Sequence, residues 1–346
     1  MSTTEIPHNK PTLGIEEEQA ALRVIRSGWV AQGHEVEAFE NEFCEFIGLP
    51  RGYAVAVANG TSAIFMALWA LQAQGKRVAF PVYTCSSLRH AVAMIGAIEQ
   101  LVDISPGTPN IDLQALSQTG ADIAIVPHMF GLPLCLSNLK DIEIIEDCAQ
   151  ALGASINGAA VGLQGKIGIF SFYATKLITS GGQGGMVISK DKALIDTVRD
   201  YREFDCRQDQ NKRFNFKMTD LQAAIGRVQL RKLPIFLSRR VEIFKRYIQS
   251  GLKLLDITSE LNIQLCPVRY RAVLQINSYS SRNMIELLNF RKIKAIVPLE
   301  DWELLGKNNL FPNALTLAKE SISLPIYPLL TDEEIEYIIS QINFLL

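Results

Sequence analysis

The sequence predicts an α/β fold, with a large domain over residues 1–235 and a smaller α+β domain over residues 236–346. The first observation is a set of short apolar segments of strand length, at 53–58, 77–80, 98–102, 122–126, 143–145, 167–172 and 186–189. The second is that helical or loop stretches separate most of these segments. This alternation is typical of a sheet buried on both faces, here a mostly parallel, mixed sheet of seven strands. The third is that this alternation of strands and helices ends near residue 236, where a long amphipathic run begins.

Helices are predicted on both sides of the first strand. Two of them, at 15–28 and 35–47, precede it and are joined by a turn that contains Gly28 and Gly33. A third follows the segment Asn59-Gly60-Thr61-Ser62, because apolar residues recur there at helical spacing.

The smaller domain is predicted from a mixture of element types. Its segments are an amphipathic run at 238–255, a strand at 272–276, a helix at 282–291 and a short strand at 295–297. A last helix is expected after Thr331, because Thr331 and Glu334 have the spacing of a capping box.

Composition excludes several classes of protein. The chain has 346 residues, of which 48% are hydrophobic, and a net charge of -2, which fits a soluble globular protein. No basic tract interleaved with aromatic residues is present, so we expect no nucleic-acid partner. The absence of a signal-like apolar region and of any long apolar run predicts no membrane partner. Scattered cysteines favour the cytoplasm, and the four histidines lack metal-ligand spacing, so we predict no metal.

Two motifs lie at the ends of predicted strands. The turn 59–62 stands at a strand-to-helix junction, where free N–H groups and hydroxyls suit a phosphate; an ordinary N-cap is the simpler alternative. Asp147 ends an apolar strand, and ligands of open α/β sheets bind beyond such ends. A carboxylate there can keep a pyridine nitrogen protonated, although a surface acid would look the same.

A third motif runs from Ser171 to Lys176 and is followed by the glycine-rich segment 181–185. A lysine just beyond an apolar strand can form an imine with an aldehyde, and Ser171 can donate to a phosphate; most loop lysines are simply exposed. The glycines lack the spacing and the following helix of a dinucleotide-binding fingerprint, and no P-loop motif occurs. A fourth motif, 213–224, leads into a helix that Thr219 or Asp220 could cap.

Together these segments resemble the DegT/StrS-type sugar aminotransferases, a branch of the fold-type-I enzymes that use pyridoxal 5′-phosphate (PLP). The likeness runs along nearly the whole chain. Beyond the four motifs it includes Lys10-Pro11-Thr12-Leu13-Gly14, Ser27-Gly28-Trp29-Val30-Ala31-Gln32-Gly33 and Leu324-Pro325-Ile326-Tyr327-Pro328. The resemblance implies a PLP-dependent aminotransferase of amino-sugar biosynthesis, with glutamate as donor and a nucleotide-linked keto-hexose as acceptor. Arg213 and Lys217 are near the segment expected to bind the donor carboxylate, but solvated surface charges explain them equally well.

The resemblance also implies roles for individual residues. Lys176 matches the lysine that holds PLP as a Schiff base, and Asp147 matches the acid that pairs with the pyridine nitrogen. The other positions implied to contact the cofactor are Gly60, Thr61, Ser62, Gln150, Ser171 and Asn215. Asn215 matches a residue that reaches the cofactor of the neighbouring subunit, which implies a homodimer with composite active sites.

The sequence departs from the family pattern in two places. Cys85 stands where many members carry an aromatic residue against the cofactor ring. Its sulfur could pack there weakly, or Tyr83 or a neighbour could cover the ring. The segment between Tyr201 and Phe214 lacks the His-Gly opening common in the family, so the substrate is open to question.

Three alternatives to transamination remain at this stage. Dehydration of a deoxy-sugar is disfavoured, because relatives with that chemistry carry histidine in place of Lys176. A non-catalytic regulator on the same fold is disfavoured by the presence of both Lys176 and Asp147. An NAD-dependent oxidoreductase is disfavoured by the missing glycine fingerprint.

Overall fold

The structure is a computed structural model that describes residues 5–139, 141–257, 263–276 and 281–346. Its α-helices are α1 (Ile15–Ser27), α2 (His34–Ile47), α3 (Gly60–Ala70), α4 (Ser87–Ile95), α5 (Leu113–Ser117), α6 (Lys192–Arg202), α7 (Asp220–Gln249), α8 (Ser281–Phe290), α9 (Pro312–Lys319) and α10 (Asp332–Leu345). Its strands are β1 (Ala54–Val57), β2 (Arg77–Pro81), β3 (Ile98–Val102), β4 (Ile123–Pro127), β5 (Glu143–Asp147), β6 (Ser155–Ile156), β7 (Ala159–Ala160), β8 (Ile167–Ser171), β9 (Gly185–Ile188), β10 (Leu265–Cys266), β11 (Ala272–Gln275) and β12 (Ser321–Leu324).

One seven-stranded sheet, in the order β1-β9-β8-β5-β4-β2-β3, forms the centre of the molecule. Strands β2, β3, β4, β5 and β8 are parallel, and β9 runs antiparallel to its neighbours β8 and β1. The seven segments predicted as strands all lie in this sheet, which confirms the predicted mixed, mostly parallel architecture. The parallel strands bring the carboxyl ends of β4, β5 and β8 to one edge.

Helices cover both faces of the sheet, because alternate strand residues point to opposite sides. On one face, side chains such as Val57, Ile125 and Ile169 pack with α3 and α4. On the other face, residues of β1, β8 and β9 pack with α2 and with the first half of α7. For this reason the strands other than the edge strand β3 are buried on both sides, and they appear in the sequence as near-continuous apolar runs.

A second core lies toward the C-terminus, where α10 and the β11–β12 pair pack on the last turns of α7. Helix α7 is 30 residues long, so it takes in residue 235 and most of the predicted run 238–255. We propose that the boundary between the two domains falls within this helix, near Pro234. The strand predicted at 295–297 is wrong: of this segment only Ile296 pairs with β12, through one isolated bridge to Ser323 on the edge away from β11.

Capping accounts for several helix starts. Thr219 and Gln222 form a capping box on α7, and Thr331 and Glu334 form the predicted one on α10. Asp220 has a different role from the one predicted. Its Oδ1 accepts hydrogen bonds from the backbone N–H groups of Gly33 (2.7 Å) and Val36 (3.1 Å), so it caps the start of α2.

Among the described residues, no helix is both long enough and apolar enough to span a membrane.

Candidate active site

A cavity of about 490 Å³ opens at the carboxyl ends of β4, β5 and β8 and at the start of α3. Ligands of open α/β sheets bind at this edge, because the strand ends and helix starts converge there. The predicted residues that line it are Gly60, Thr61, Ser62, Cys85, Asp147, Gln150, Ser171 and Lys176. The structure therefore brings together three motifs that are far apart in the sequence.

The start of α3 forms one end of the cavity. Asn59 caps this helix, and its side chain accepts hydrogen bonds from the N–H (2.8 Å) and the hydroxyl (3.1 Å) of Ser62. The N–H groups of Gly60 and Thr61 donate to no residue in the described part of the chain. Free N–H groups at a helix start favour an anion, so these two suit a phosphate. The Ser62 hydroxyl is already committed to the cap.

Close packing at this end of the cavity requires glycine. A Cβ atom on Gly60 would lie 2.9 Å from the Ser171 Cβ, and one on Gly185 would lie 2.5 Å from the Asn59 carbonyl oxygen. These approaches place the Ser171 hydroxyl beside the start of α3. The glycines therefore keep open a polar cradle of the kind that a phosphate group needs.

Asp147 ends β5 and is buried against the cavity. Its Oδ1 accepts one hydrogen bond, from the Ala149 N–H at 3.0 Å, and no described cation lies within ion-pair distance. Burial raises the pKa of Asp147, although the Ala149 bond and the positive charge of Lys176 act in the opposite direction. A buried carboxylate with one hydrogen bond and no ion pair is suited to bind a positively charged ligand atom.

The neighbouring acid, Glu146, has a structural role. It is buried, and its carboxylate accepts from the N–H groups of Gly162 (2.9 Å), Gln164 (2.6 Å) and Gly165 (2.7 Å). It also accepts from Nε2 of His128 at 3.0 Å. Burial acts to raise the pKa of Glu146, but the His128 bond and the backbone donors outweigh it, so the pKa lies below its ordinary value.

His128 is a cavity residue that the sequence reasoning missed. It follows β4 directly and lines the cavity beside Asp147. Its Nδ1 accepts from the Leu134 N–H at 3.1 Å, so the ring proton lies on Nε2 and points to Glu146. The rule that selected Asp147, a polar residue at the carboxyl end of an apolar strand, would also have selected His128.

His128, Glu146 and Cys148 lie close enough together to hold a metal ion. Both ring nitrogens of His128 and both carboxylate oxygens of Glu146 already take part in hydrogen bonds with the protein. Burial raises the pKa of Cys148 well above its ordinary value, which keeps it a neutral thiol. Hydrogen bonding thus accounts for the cluster.

Lys176 lines the same cavity as Asp147, a few residues after the end of β8. Its Nζ is 5.5 Å from the centroid of the Tyr270 ring and forms no ion pair within the described ranges. Burial acts to raise the pKa of Tyr270, but the positive charges of Lys176 and Arg271 prevail, so this pKa is lowered. An amine without a carboxylate partner is available for reaction with a carbonyl group.

Gln150 and Cys85 complete the cavity wall. The Gln150 Oε1 accepts from the Phe130 N–H at 2.7 Å and supports a turn in which Phe130 has a φ of 59°. Cys85 is an exposed, free thiol. Tyr83 is fully buried, where its ring contacts that of Phe130, and it is not among the lining residues. Tyr83 therefore does not take the place of the missing aromatic residue.

Asn215 does not line the cavity of its own chain; its side chain is exposed, three residues before Met218. The cations beside it are already paired. Arg213 forms ion pairs with Asp200 (3.0 Å) and Asp209 (2.6 Å), and Lys217 forms one with Glu203 (2.9 Å). Neither is free to receive a donor carboxylate.

Comparison with known proteins identifies the family. The sequence profile of the DegT/DnrJ/EryC1/StrS aminotransferase family matches residues 11–343. GDP-perosamine synthase of Escherichia coli O157:H7 is 29% identical over 98% of this chain and 98% of that protein. The aminotransferase TlmJ from Streptoalloteichus hindustanus superposes with a TM-score of 0.88 at 26% identity, covering 97% of each chain. DesV from S. venezuelae, solved with a ketimine intermediate, superposes with a TM-score of 0.86 at 26% identity, covering 95% of this chain and 94% of that one.

These matches confirm the fold and the resemblance predicted from the sequence. The chain belongs to the DegT/DnrJ/EryC1/StrS aminotransferase family.

Proposed function

We propose that the protein transfers an amino group from glutamate to a nucleotide-linked keto-sugar, with Lys176 as the reacting lysine. Family membership makes the chain a PLP-dependent sugar aminotransferase. The observation that supports the site assignment is the cavity itself. An unpaired amine, Lys176, and an uncompensated buried carboxylate, Asp147, face the same space. The relative that synthesises GDP-perosamine supports a sugar nucleotide as acceptor.

The residues fit PLP. The free N–H groups of Gly60 and Thr61 and the hydroxyl of Ser171 would hold its phosphate, and Asp147 would face its pyridine nitrogen. When bound, PLP supplies an electron sink that stabilises negative charge on the α-carbon of the amino donor. Asp147 contributes by keeping a proton on the pyridine nitrogen, and a charged partner there would hold Asp147 in its ionised form.

Lys176 contributes an anchor and a proton carrier. As a free amine, Lys176 would remove the proton from the donor α-carbon as a general base. In the second half of the reaction the same amine returns a proton to the sugar carbon that receives the amino group. The Glu146–His128 pair positions the end of β5, so that Asp147 keeps its place.

An absorption spectrum before and after addition of glutamate tests this proposal. We expect PLP to give a visible Schiff-base band that declines when glutamate is added. Lys176→Ala should give neither the band nor transamination. Lys190→Ala, which removes an exposed lysine after β9, should behave as the wild-type protein. Wild-type turnover by Lys176→Ala would refute the assignment, and a band unaffected by glutamate would refute the donor.

We also propose a cytoplasmic homodimer in which Asn215 completes the active site of the partner. An exposed apolar group on α1 and on the residues that flank it supports a subunit contact; it comprises Leu13, Ile15, Leu22, Ile25, Trp29 and Val30. Asn215 is exposed just outside its own cavity. All six cysteines are unpaired, which supports a reducing compartment.

Mixing two inactive variants tests the composite site. Lys176→Ala and Asn215→Ala should each lose activity alone. Because a mixed dimer would contain one intact site, exchange of subunits should restore about a quarter of wild-type activity. The composite site would be contradicted if the mixture recovered no activity, or if Asn215→Ala alone were as active as the wild type. Light scattering of the purified protein gives the oligomeric state independently.

A further inference from the structure

Arg271, directly before β11, is a cation that lacks an anionic partner. Its Nη1 lies 3.4 Å from Nε2 of His8 and 3.4 Å from Oγ of Ser323, both long for hydrogen bonds. Its Nε is buried and has no hydrogen-bond partner. Throughout the described ranges, no carboxylate lies within ion-pair distance of Arg271. Arg269, two residues earlier, is paired with Asp256 and makes a clear contrast.

Arg271 and the reacting lysine both approach the ring of Tyr270. The Arg271 Cζ lies 5.4 Å from the centroid of the Tyr270 ring, and the Lys176 Nζ lies 5.5 Å from the same centroid. The charge of Arg271 also acts on the buried phenol of Tyr83, which directly precedes two cavity residues. Tyr270 and Arg271 do not themselves line the cavity; Arg271 is linked to it through the contact of Tyr270 with Lys176.

Among the residues that the structure describes, those around Arg271 carry positive charge and form no ion pair with an acid. Burial, together with the charges of Arg271 and Arg240, lowers the pKa of His8 to about 3, so His8 is neutral. Arg240 is buried and donates to backbone carbonyl oxygens, including that of Tyr270 at 3.2 Å. Burial lowers its pKa to about 10, and the Arg271 charge contributes to the shift. Desolvated cations are costly unless they are paired, so this cluster is matched to an anionic ligand.

We propose that Arg271 binds a carboxylate group of the amino-acid donor. The inference rests on the proposed function, because the donor nitrogen must reach the position of Lys176. The rest of the donor then lies within a few ångströms of Lys176. A guanidinium group binds a carboxylate through two parallel hydrogen bonds. The diphosphate of a sugar nucleotide is separated from the reacting carbon by the hexose ring, so it suits this position less well than the donor does.

Substitution of Arg271 separates donor binding from cofactor binding. We expect Arg271→Gln to form the same visible band with PLP as the wild type, but to need roughly 10- to 100-fold more glutamate for half-maximal loss of that band. Arg271→Lys should recover part of this loss. Arg269→Gln, which removes the neighbouring guanidinium, should respond to glutamate as the wild type does. The proposal would be overturned if Arg271→Gln needed no more glutamate than the wild type. It would also be overturned if the variant needed more sugar nucleotide but no more glutamate.

Binding of glutarate, a dicarboxylate without an amino group, gives a readout that needs no turnover. Calorimetry should show that Arg271→Gln weakens glutarate binding to the PLP-loaded protein by a similar factor. This measurement tests Arg271 even if glutamate leaves the wild-type band unchanged, which would count against the proposed donor and not against the carboxylate site. Equal binding of glutarate by both proteins, or none by the wild type, would overturn the assignment. L-Alanine, which has only an α-carboxylate, then shows which carboxylate of glutamate Arg271 binds. If Arg271→Gln weakens the response to L-alanine and to glutamate equally, Arg271 binds the α-carboxylate. If it weakens only the response to glutamate, Arg271 binds the distal carboxylate.

Discussion

Replacing Glu146 by glutamine should destabilise the protein strongly, although the two side chains have the same shape. One carboxylate oxygen accepts from the Gln164 and Gly165 N–H groups, and the other accepts from Gly162 and His128. An amide nitrogen in either place turns one acceptor into a donor. At least two buried donors then lose their partner, at about 1–3 kcal/mol each, so we expect a loss of about 2–6 kcal/mol in the free energy of unfolding.

Urea unfolding at neutral pH, followed by circular dichroism, measures this loss. Glu45→Gln, at an exposed position on α2, is the matched control and should change the free energy of unfolding by less than about 0.5 kcal/mol. The pKa of Glu146 lies below 4.5 in the folded protein, so its contribution is present above that pH and is lost as pH falls through the folded pKa. The Glu146→Gln protein should therefore lose less stability on acidification. A destabilisation under about 1 kcal/mol would refute the reasoning.

Three further predictions concern the cavity. Asp147→Asn should weaken PLP binding, measured by titration of the visible band, because the neutral amide cannot pair with a protonated pyridine; unchanged affinity would contradict this. Gly185→Ala should lower the midpoint of urea unfolding, because its Cβ would meet the Asn59 carbonyl oxygen at 2.5 Å; an unaltered midpoint would show that the strands can separate there. Alkylation of Cys85 should slow when PLP is bound, whereas Cys206, also exposed, should react at the same rate, as peptide mass spectrometry can show.

The central sheet could be predicted because six of its seven strands are largely buried and therefore mostly apolar, whereas the edge strand β3 is partly exposed. The direction of β9 follows from a tertiary feature, since the loop that carries Lys176 returns the chain beside β8. The strand at 295–297 was predicted wrongly because an apolar triplet does not reveal how many of its residues run alongside a neighbouring strand; here only Ile296 does.

The cavity residues that could be predicted are those that belong to local sequence motifs. Lys176, Asp147 and the turn at Gly60 each carry a pattern in the sequence, and the structure places them around one space. Arg271 carries no such pattern. Its position beside Tyr270 and its lack of an acidic partner depend on how distant segments pack, so no spacing in the sequence indicates them.

Helix α7 has a consequence for how the molecule unfolds. At about 1.5 Å per residue, its 30 residues form a rod of roughly 45 Å. Its first half contributes Ala223 and Leu233 to the core beneath the sheet, and its second half contributes Ile243 and Tyr247 to the C-terminal core. If either core unfolded, the apolar residues that α7 contributes to it would become exposed, while the other core would still require α7 to remain helical. The two cores should therefore melt as one cooperative unit, and a fragment that ends inside α7 should not be a stable protein.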